Sequence, residues 1–165
     1  MENLKRIVQD SIALKTKVLN SPAMLELTLK VADEIVKCFK ADGKVLFCGN
    51  GGSAADAQHF AGELVSRFYF DRPALSAIAL TTDSSVLTAI GNDYGFEHIF
   101  ARQIQAHGRL GDVFIAISTS GNSPNILESI KTAKALGLNV IGLTGQSGGK
   151  MKDICDICLC VPSNS

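Results

Sequence analysis

Apolar residues recur at helical spacing over residues 3–19, where Leu4, Ile7, Val8, Ile12, Leu14, Val18 and Leu19 make one main apolar face. Asn20-Ser21-Pro22 interrupts the pattern, and Pro22 suits the first position of a second helix. That helix runs to about Lys40 and carries two stripes. One holds Leu25, Leu29, Ala32, Ile35, Val36 and Phe39; the other holds Met24, Leu27, Val31 and Cys38. A helix apolar over more than one face is buried on more than one side. The pattern points to packing of this region against another subunit, the alternative being a helix enclosed within its own domain.

After Ala41-Asp42-Gly43 the period changes. Apolar runs at 45–48, 74–80, 113–117, 139–143 and 157–161 read as strands. Helical stretches separate them. One begins at Ser53, which suits an N-cap. A short one follows Thr81-Thr82-Asp83-Ser84 and runs to about Ile90. Another covers 96–107, with Phe96, Ile99, Phe100, Gln103 and Ile104 on its buried side. A fourth runs from Pro124 to Leu136, capped by Gly137. Gly91-Asn92-Asp93-Tyr94-Gly95 reads as a loop, and 144–152 as loop and short helix.

The alternation predicts an α/β fold: a three-layer sandwich with a five-stranded parallel sheet, preceded by two N-terminal helices. Residues 1–41 form the helical part and 43–165 the core of one domain. Right-handed crossovers bring the C-terminal ends of the strands to one edge. The turns at 49–53, 81–84 and 118–123 can therefore converge on one ligand.

Composition narrows the function. At 165 residues, 46% hydrophobic and 19% charged, the chain reads as one globular domain. A formal net charge of zero removes the electrostatic case for nucleic acid or an anionic membrane. No apolar run approaches the ~18 residues that would span a bilayer. Met1-Glu2-Asn3-Leu4-Lys5-Arg6 has no apolar signal region. Five cysteines, an odd number outside any secreted framework, suit a reducing cytoplasm.

Three constellations carry candidate chemistry. In Gly49-Asn50-Gly51-Gly52-Ser53-Ala54, the glycines permit positive φ and close approach of a ligand to the backbone. The same residues match G-x-G-x-x-A, but the acidic residue a dinucleotide site places about 20 residues on, after the second strand, has no clear counterpart, Asp83 coming too late, which disfavours a nicotinamide-dependent oxidoreductase. His59 and Glu63, four apart, share one helix face with Cβ atoms about 6 Å apart. They suit a metal-ligand pair, or a general base with an orienting partner. Ser118-Thr119-Ser120-Gly121-Asn122-Ser123 offers four hydroxyls at a helix N-terminus, without lysine or arginine. Free N–H groups and the helix dipole there favour a phosphate. Cys155-x-x-Cys158-x-Cys160 lies on or beside a strand and reads as ordinary core cysteine. His98 and His107 have no partner pattern, and spacing gives Arg67, Asn92 and Asp93 no role.

With these motifs in hand, the chain resembles the phosphoheptose isomerases, a branch of the sugar-isomerase (SIS) domain family. The matching stretches begin at Cys48 and run through Gly49-Asn50-Gly51-Gly52-Ser53 to His59, then from Glu63 to Phe68. Ile90-Gly91-Asn92-Asp93-Tyr94-Gly95, the 118–123 loop, Leu143-Thr144-Gly145 and Gly148-Gly149-Lys150-Met151 complete them. The resemblance implies a flavodoxin-like SIS domain that interconverts sedoheptulose 7-phosphate and D-glycero-D-manno-heptose 7-phosphate through an enediolate, for bacterial surface polysaccharide. It implies a cytoplasmic homotetramer with active sites between subunits and a bound zinc. His59 and Glu63 match the metal positions, and Glu63 also matches the catalytic acid/base. Asn50, Gly51, Gly52, Ser53, Glu63, Asn92 and Asp93 match sugar-binding positions; Ser118, Thr119, Ser120 and Ser123 match the phosphate loop. Family members continue past Val161-Pro162-Ser163 into a helix whose glutamine and histidine complete the metal and acid/base set; this sequence stops at Ser165. A second class therefore stays open: non-catalytic SIS proteins that bind a sugar phosphate or a replication-initiator protein.

Overall fold

The computed structural model describes residues 1–163. The last two residues of the expected core, Asn164 and Ser165, lie outside the described residues.

Two helices come first, α1 at Glu2–Leu19 and α2 at Pro22–Lys40. Ser21 caps α2 by accepting from the Met24 N–H, with Pro22 at the first turn. The two stripes of α2 are split by the structure, with Ile35 and Phe39 of the first stripe packing against the core beside the second. Val31 and Cys38 are buried against the sheet, with Leu27 packed beside them. Leu25, Leu29 and Val36 on the other stripe are exposed. In α1 no residue is buried.

The core follows as β1 (Val45–Gly49), α3 (Gly52–Val65), β2 (Ala77–Ala79), α4 (Ser84–Tyr94) and α5 (Ala101–His107). Then come β3 (Val113–Ser118), α6 (Pro124–Ala135), β4 (Asn139–Thr144), α7 (Met151–Ile154) and β5 (Ile157–Cys160). All pairings are parallel, in the order β2-β1-β3-β4-β5. The expected five-stranded, three-layer architecture is the one observed.

Strand alternation sorts the core into two layers. Val45, Phe47, Val113, Ile115 and Ile117 pack under α2 and α3, with Ala57 and Ala61. Leu46, Cys48, Phe114, Ala116 and Val140 face α4 to α7, meeting Ile99, Phe100, Ile104, Ile126 and Ile130. Cys48 is fully enclosed, and burial pushes its thiol up to about 12. No helix among the described residues is long and apolar enough to cross a membrane.

Several boundaries differ from the pattern-based expectation. The second strand is three residues, Ala77–Ala79, because residues 74–76 only approach the sheet, through Ser76 O to Val45 N. The helix expected over 96–107 is a 3-10 turn at Phe96–His98 followed by α5, and Phe96 is exposed rather than buried. Gly95, at φ 95°, sets that turn off from α4. The fifth strand stops at Cys160, one residue short of the expected end.

Two carboxylates hold the sheet at the edge where its strands begin. Asp112 Oδ1 accepts from the Lys44 N–H at 3.0 Å and Oδ2 from the Arg109 N–H at 2.9 Å. The Lys44 ammonium lies 2.7 Å from Oδ2, with the carboxylate 3% exposed. Asp156 repeats the device between β4 and β5, accepting from the Val140 N–H at 2.8 Å and the Lys134 ammonium at 2.7 Å. Burial alone would raise the Asp156 carboxyl, but those bonds hold it below the ordinary carboxylate range.

Asp112→Ala strips the partly exposed Lys44 ammonium and two backbone donors of their buried partner, so it should cost about 3 kcal/mol of unfolding free energy. Urea denaturation checks this; a loss under about 1 kcal/mol would show that the staple does not hold β1 against β3.

Candidate active site

The first part of the site is the turn that leaves β1. A Cβ on Gly49 would run into the backbone carbonyl of Ser53, so the turn closes only over glycine. Gly51 takes φ 55° and ψ −120° and is the N-cap of α3, without a side-chain cap. Ser53, expected to cap this helix, lies inside its first turn instead. The reason is the Ser53 N–H, which bonds Asn50 O at 3.0 Å and starts the helical path before the serine. Space is open around the Cβ positions of Gly51 and Gly52. The turn therefore presents bare backbone at the positive end of a 14-residue helix.

The second part follows β3. Ser118 is the last residue of that strand and is 4% exposed. Its Oγ lies 3.0 Å from Ser123 Oγ. Ser123 is the N-cap of α6 but makes no side-chain cap bond, so its hydroxyl serves the loop and not the helix. Thr119 and Ser120 are exposed. The 145–151 segment braces the loop. Gly145 N–H donates to Thr119 O at 3.0 Å, Met151 N–H to Gly121 O at 3.1 Å and Lys150 N–H to Asn122 Oδ1 at 3.1 Å. Gly121 has φ 65°, and a Cβ there would collide with the Gly148 carbonyl.

The two parts are joined. Asn50 Nδ2 donates to Asn125 Oδ1 at 2.9 Å, and Asn125 Nδ2 donates to Asn50 Oδ1 at 2.8 Å. Asn50 was expected at the sugar; its carboxamide is engaged with α6. Asn125 escaped the sequence reading, and its only signal was an asparagine in the first turn after Pro124. The third turn meets α3: Thr81 Oγ1 accepts from Gln58 Nε2 at 3.2 Å and donates to Ala54 O at 3.4 Å.

His59 and Glu63 stand on the outer face of α3, with Nε2 3.7 Å from Oε1 and side chains 73% and 35% exposed. Arg72 clasps this end of the helix. Its guanidinium donates to Glu63 O at 2.7 Å, Leu64 O at 2.8 Å and Pro73 O at 3.0 Å. That C-terminal clasp also escaped the sequence reading, because it comes from a loop without a spacing signal. An imidazole and a carboxylate are suitable zinc donors at chelating separation. They fill two corners of a four-donor site. Among the described residues no group of three or more His, Cys, Asp and Glu is arranged to hold a metal ion.

Asn92 and Asp93 are placed differently from expectation. They belong to the last turn of α4, not to a loop, and Asn92 Nδ2 donates to Asp93 Oδ1 at 2.8 Å. The glycines flanking this stretch read as loop, but the helix accommodates Gly91, which has no crowded neighbour, and ends at Gly95. Asp93 is ten residues past the Asp83 cap, roughly 15 Å along the axis. Among the described residues no hydrogen bond ties either side chain to the two loops.

The cysteine pattern is not a metal cluster. Cys155, Cys158 and Cys160 are half-buried, with Cys158 and Cys160 sulfurs 3.9 Å apart. The Cys155 and Cys158 sulfurs pack over Gly142. His98 Nε2 lies 4.0 Å from Glu97 Oε1.

A family model for the SIS domain matches residues 9–145. The chain belongs to the SIS domain family. Its relatives within that family include the phosphoheptose isomerase of Aneurinibacillus thermoaerophilus, 55% identical over 160 residues, which cover 97% of this chain and 81% of that protein. The structure of phosphoheptose isomerase from Neisseria gonorrhoeae superimposes with a TM-score of 0.91 at 47% identity, over 98% of this chain and 85% of that one. A phosphoheptose isomerase from Francisella tularensis gives 0.93 at 42%, over 99% and 86%. At this identity and coverage the SIS chain described here is an isomerase.

Gly121→Ala should abolish binding of inorganic phosphate, since the residue can neither keep φ 65° nor clear the Gly148 carbonyl. Calorimetric titration with phosphate, with circular dichroism to confirm the fold, checks this; affinity within threefold of wild type would remove the 118–123 loop from the site.

Proposed function

We propose that this isomerase interconverts sedoheptulose 7-phosphate and D-glycero-D-manno-heptose 7-phosphate, supplying heptose for a bacterial surface polysaccharide. The observation that carries the reading is the joined pair of loops, on a chain that also presents His59 and Glu63 together on the outer face of α3. One end is suited to a phosphate, and the other is an open glycine turn that starts the helix carrying the Glu63 carboxylate.

In this reading Ser118, Thr119, Ser120 and Ser123 hold the phosphate through their hydroxyls at the positive end of α6. The site has no loop cation, so oriented dipoles neutralise the anion. Gly51, Gly52 and Ser53 receive the sugar at C1 and C2. Glu63 takes the proton from C2 of the aldose as the C1 carbonyl electrons move onto oxygen, giving the enediolate. Return of that proton to C1, with loss of the O2 proton and protonation of O1, yields the ketose. Positive ends of α3 and α6 favour the developing oxyanion. His59 orients the Glu63 carboxylate.

Zinc is proposed to sit on His59 and Glu63, with further donors from outside the described residues. When bound, it would supply Lewis-acid polarisation of the carbonyl. Assembly as a cytoplasmic homotetramer is proposed as well. In support, α1 leaves Leu4, Ile7, Val8 and Ile12 between 51% and 62% exposed, and Phe68, Tyr69 and Phe70 project from the loop after α3.

Glu63→Gln should lower turnover of sedoheptulose 7-phosphate by about 10³-fold while sugar-phosphate affinity stays within several-fold. Steady-state kinetics with calorimetry on the full natural chain checks this. Wild-type protein that binds the sugar phosphate but never turns it over, with or without zinc, would transfer the assignment to a non-catalytic SIS protein. Ile7→Asp with Ile12→Asp should shift the sedimentation coefficient to that of a smaller species; an unchanged profile would clear α1 of any part in assembly.

A further inference from the structure

Asn125 stands at the second position of α6, two residues after Ser123, and is 2% exposed. Its partner Asn50 lies between Gly49 and Gly51, at the root of the glycine turn. Each carboxamide gives the other one N–H and accepts one in return, at 2.8 and 2.9 Å. The result is a closed ring of two antiparallel hydrogen bonds. A single hydrogen bond leaves a hinge; two in a ring fix both separation and tilt. The partners are 75 residues apart in sequence, on different elements. A leucine at 125 would fill the space about as well, but would leave the Asn50 carboxamide without its partner.

We infer that Asn125 is a positioning residue: acting through Asn50, it sets the separation between the glycine turn and the 118–123 loop. The site thereby selects ligands that engage both loops at once. This rests on the sugar-phosphate reading given above. A sugar phosphate touches both loops and gains from their fixed spacing, because less ordering remains when it binds. Inorganic phosphate touches only the second loop and gains nothing.

The ring also has a specific acid–base signature. A protonated carboxylic acid at position 125 reproduces it, with O–H donating to Asn50 Oδ1 and C=O accepting from Nδ2. A carboxylate cannot, because it sets an acceptor against Asn50 Oδ1. Asn125→Asp therefore carries its own switch, with burial raising the pH at which the acid form appears.

The experiment is calorimetric titration of the full chain with inorganic phosphate and, separately, with sedoheptulose 7-phosphate. Asn125→Leu should bind the sugar phosphate about tenfold more weakly, while phosphate affinity stays within twofold of wild type. Asn125→Asp should resemble the leucine variant at pH 8. Its sugar-phosphate affinity, taken as a ratio to wild type at each pH, should recover as pH falls toward about 5. Should the leucine variant fail to fold, the aspartate comparison within one protein decides alone. Equal loss of both ligands would mean that Asn125 merely holds the start of α6, and the inference fails. No loss of either ligand, or a ratio flat with pH, also overturns it. Wild-type chain that binds phosphate but no sugar phosphate refutes the functional reading itself, and the spanning role with it.

Discussion

The ladder between β1 and β3 is the constraint on which the site depends. Val45 pairs with Val113 and Gly49 with Ile117, so the two strands end level at the same edge of the sheet. Each end then releases one turn, and each turn starts a helix. The ladder is fastened at both ends by polar groups from outside it. Asp112 ties Lys44 to Arg109 where the strands begin, and the Asn50–Asn125 ring ties the turns where they finish. Apolar burial supplies most of the cohesion between the layers, but it is indifferent to the small shifts that directional bonds resist.

The chemistry of the site comes from backbone as much as from side chains. Glycine at 49 and 121 lets carbonyls approach where any Cβ would collide, and the two turns therefore expose N–H groups and not side-chain bulk. Hydroxyls at 118 and 123 face each other instead of capping the helix. His59 and Glu63 add a pair of titratable groups on the outer face of α3. The 118–123 loop itself carries no lysine or arginine.

Much of this was legible in the linear pattern. Short apolar runs alternating with helical ones can be satisfied only by strands buried on both faces, so the five-stranded parallel sheet followed directly. His59 and Glu63 share a helix face by spacing alone, and the hydroxyl loop announces itself by composition. Other features were hidden for definite reasons. Gly91 and Gly95 look alike in sequence, yet one sits inside α4 and the other ends it. Phe96 fits the apolar stripe of the following helix, but the 3-10 turn rotates it outward.

The sequence by itself determined the layers, the order of elements and the residues able to do chemistry, because periodicity and local propensity act over a few residues. Only the tertiary structure decided which of those residues meet. Asn125 gains its partner, Asn50, from a segment 75 residues away that no local pattern relates. Such pairings depend on strand register and helix length acting together across the sheet, and no window of neighbouring residues contains both.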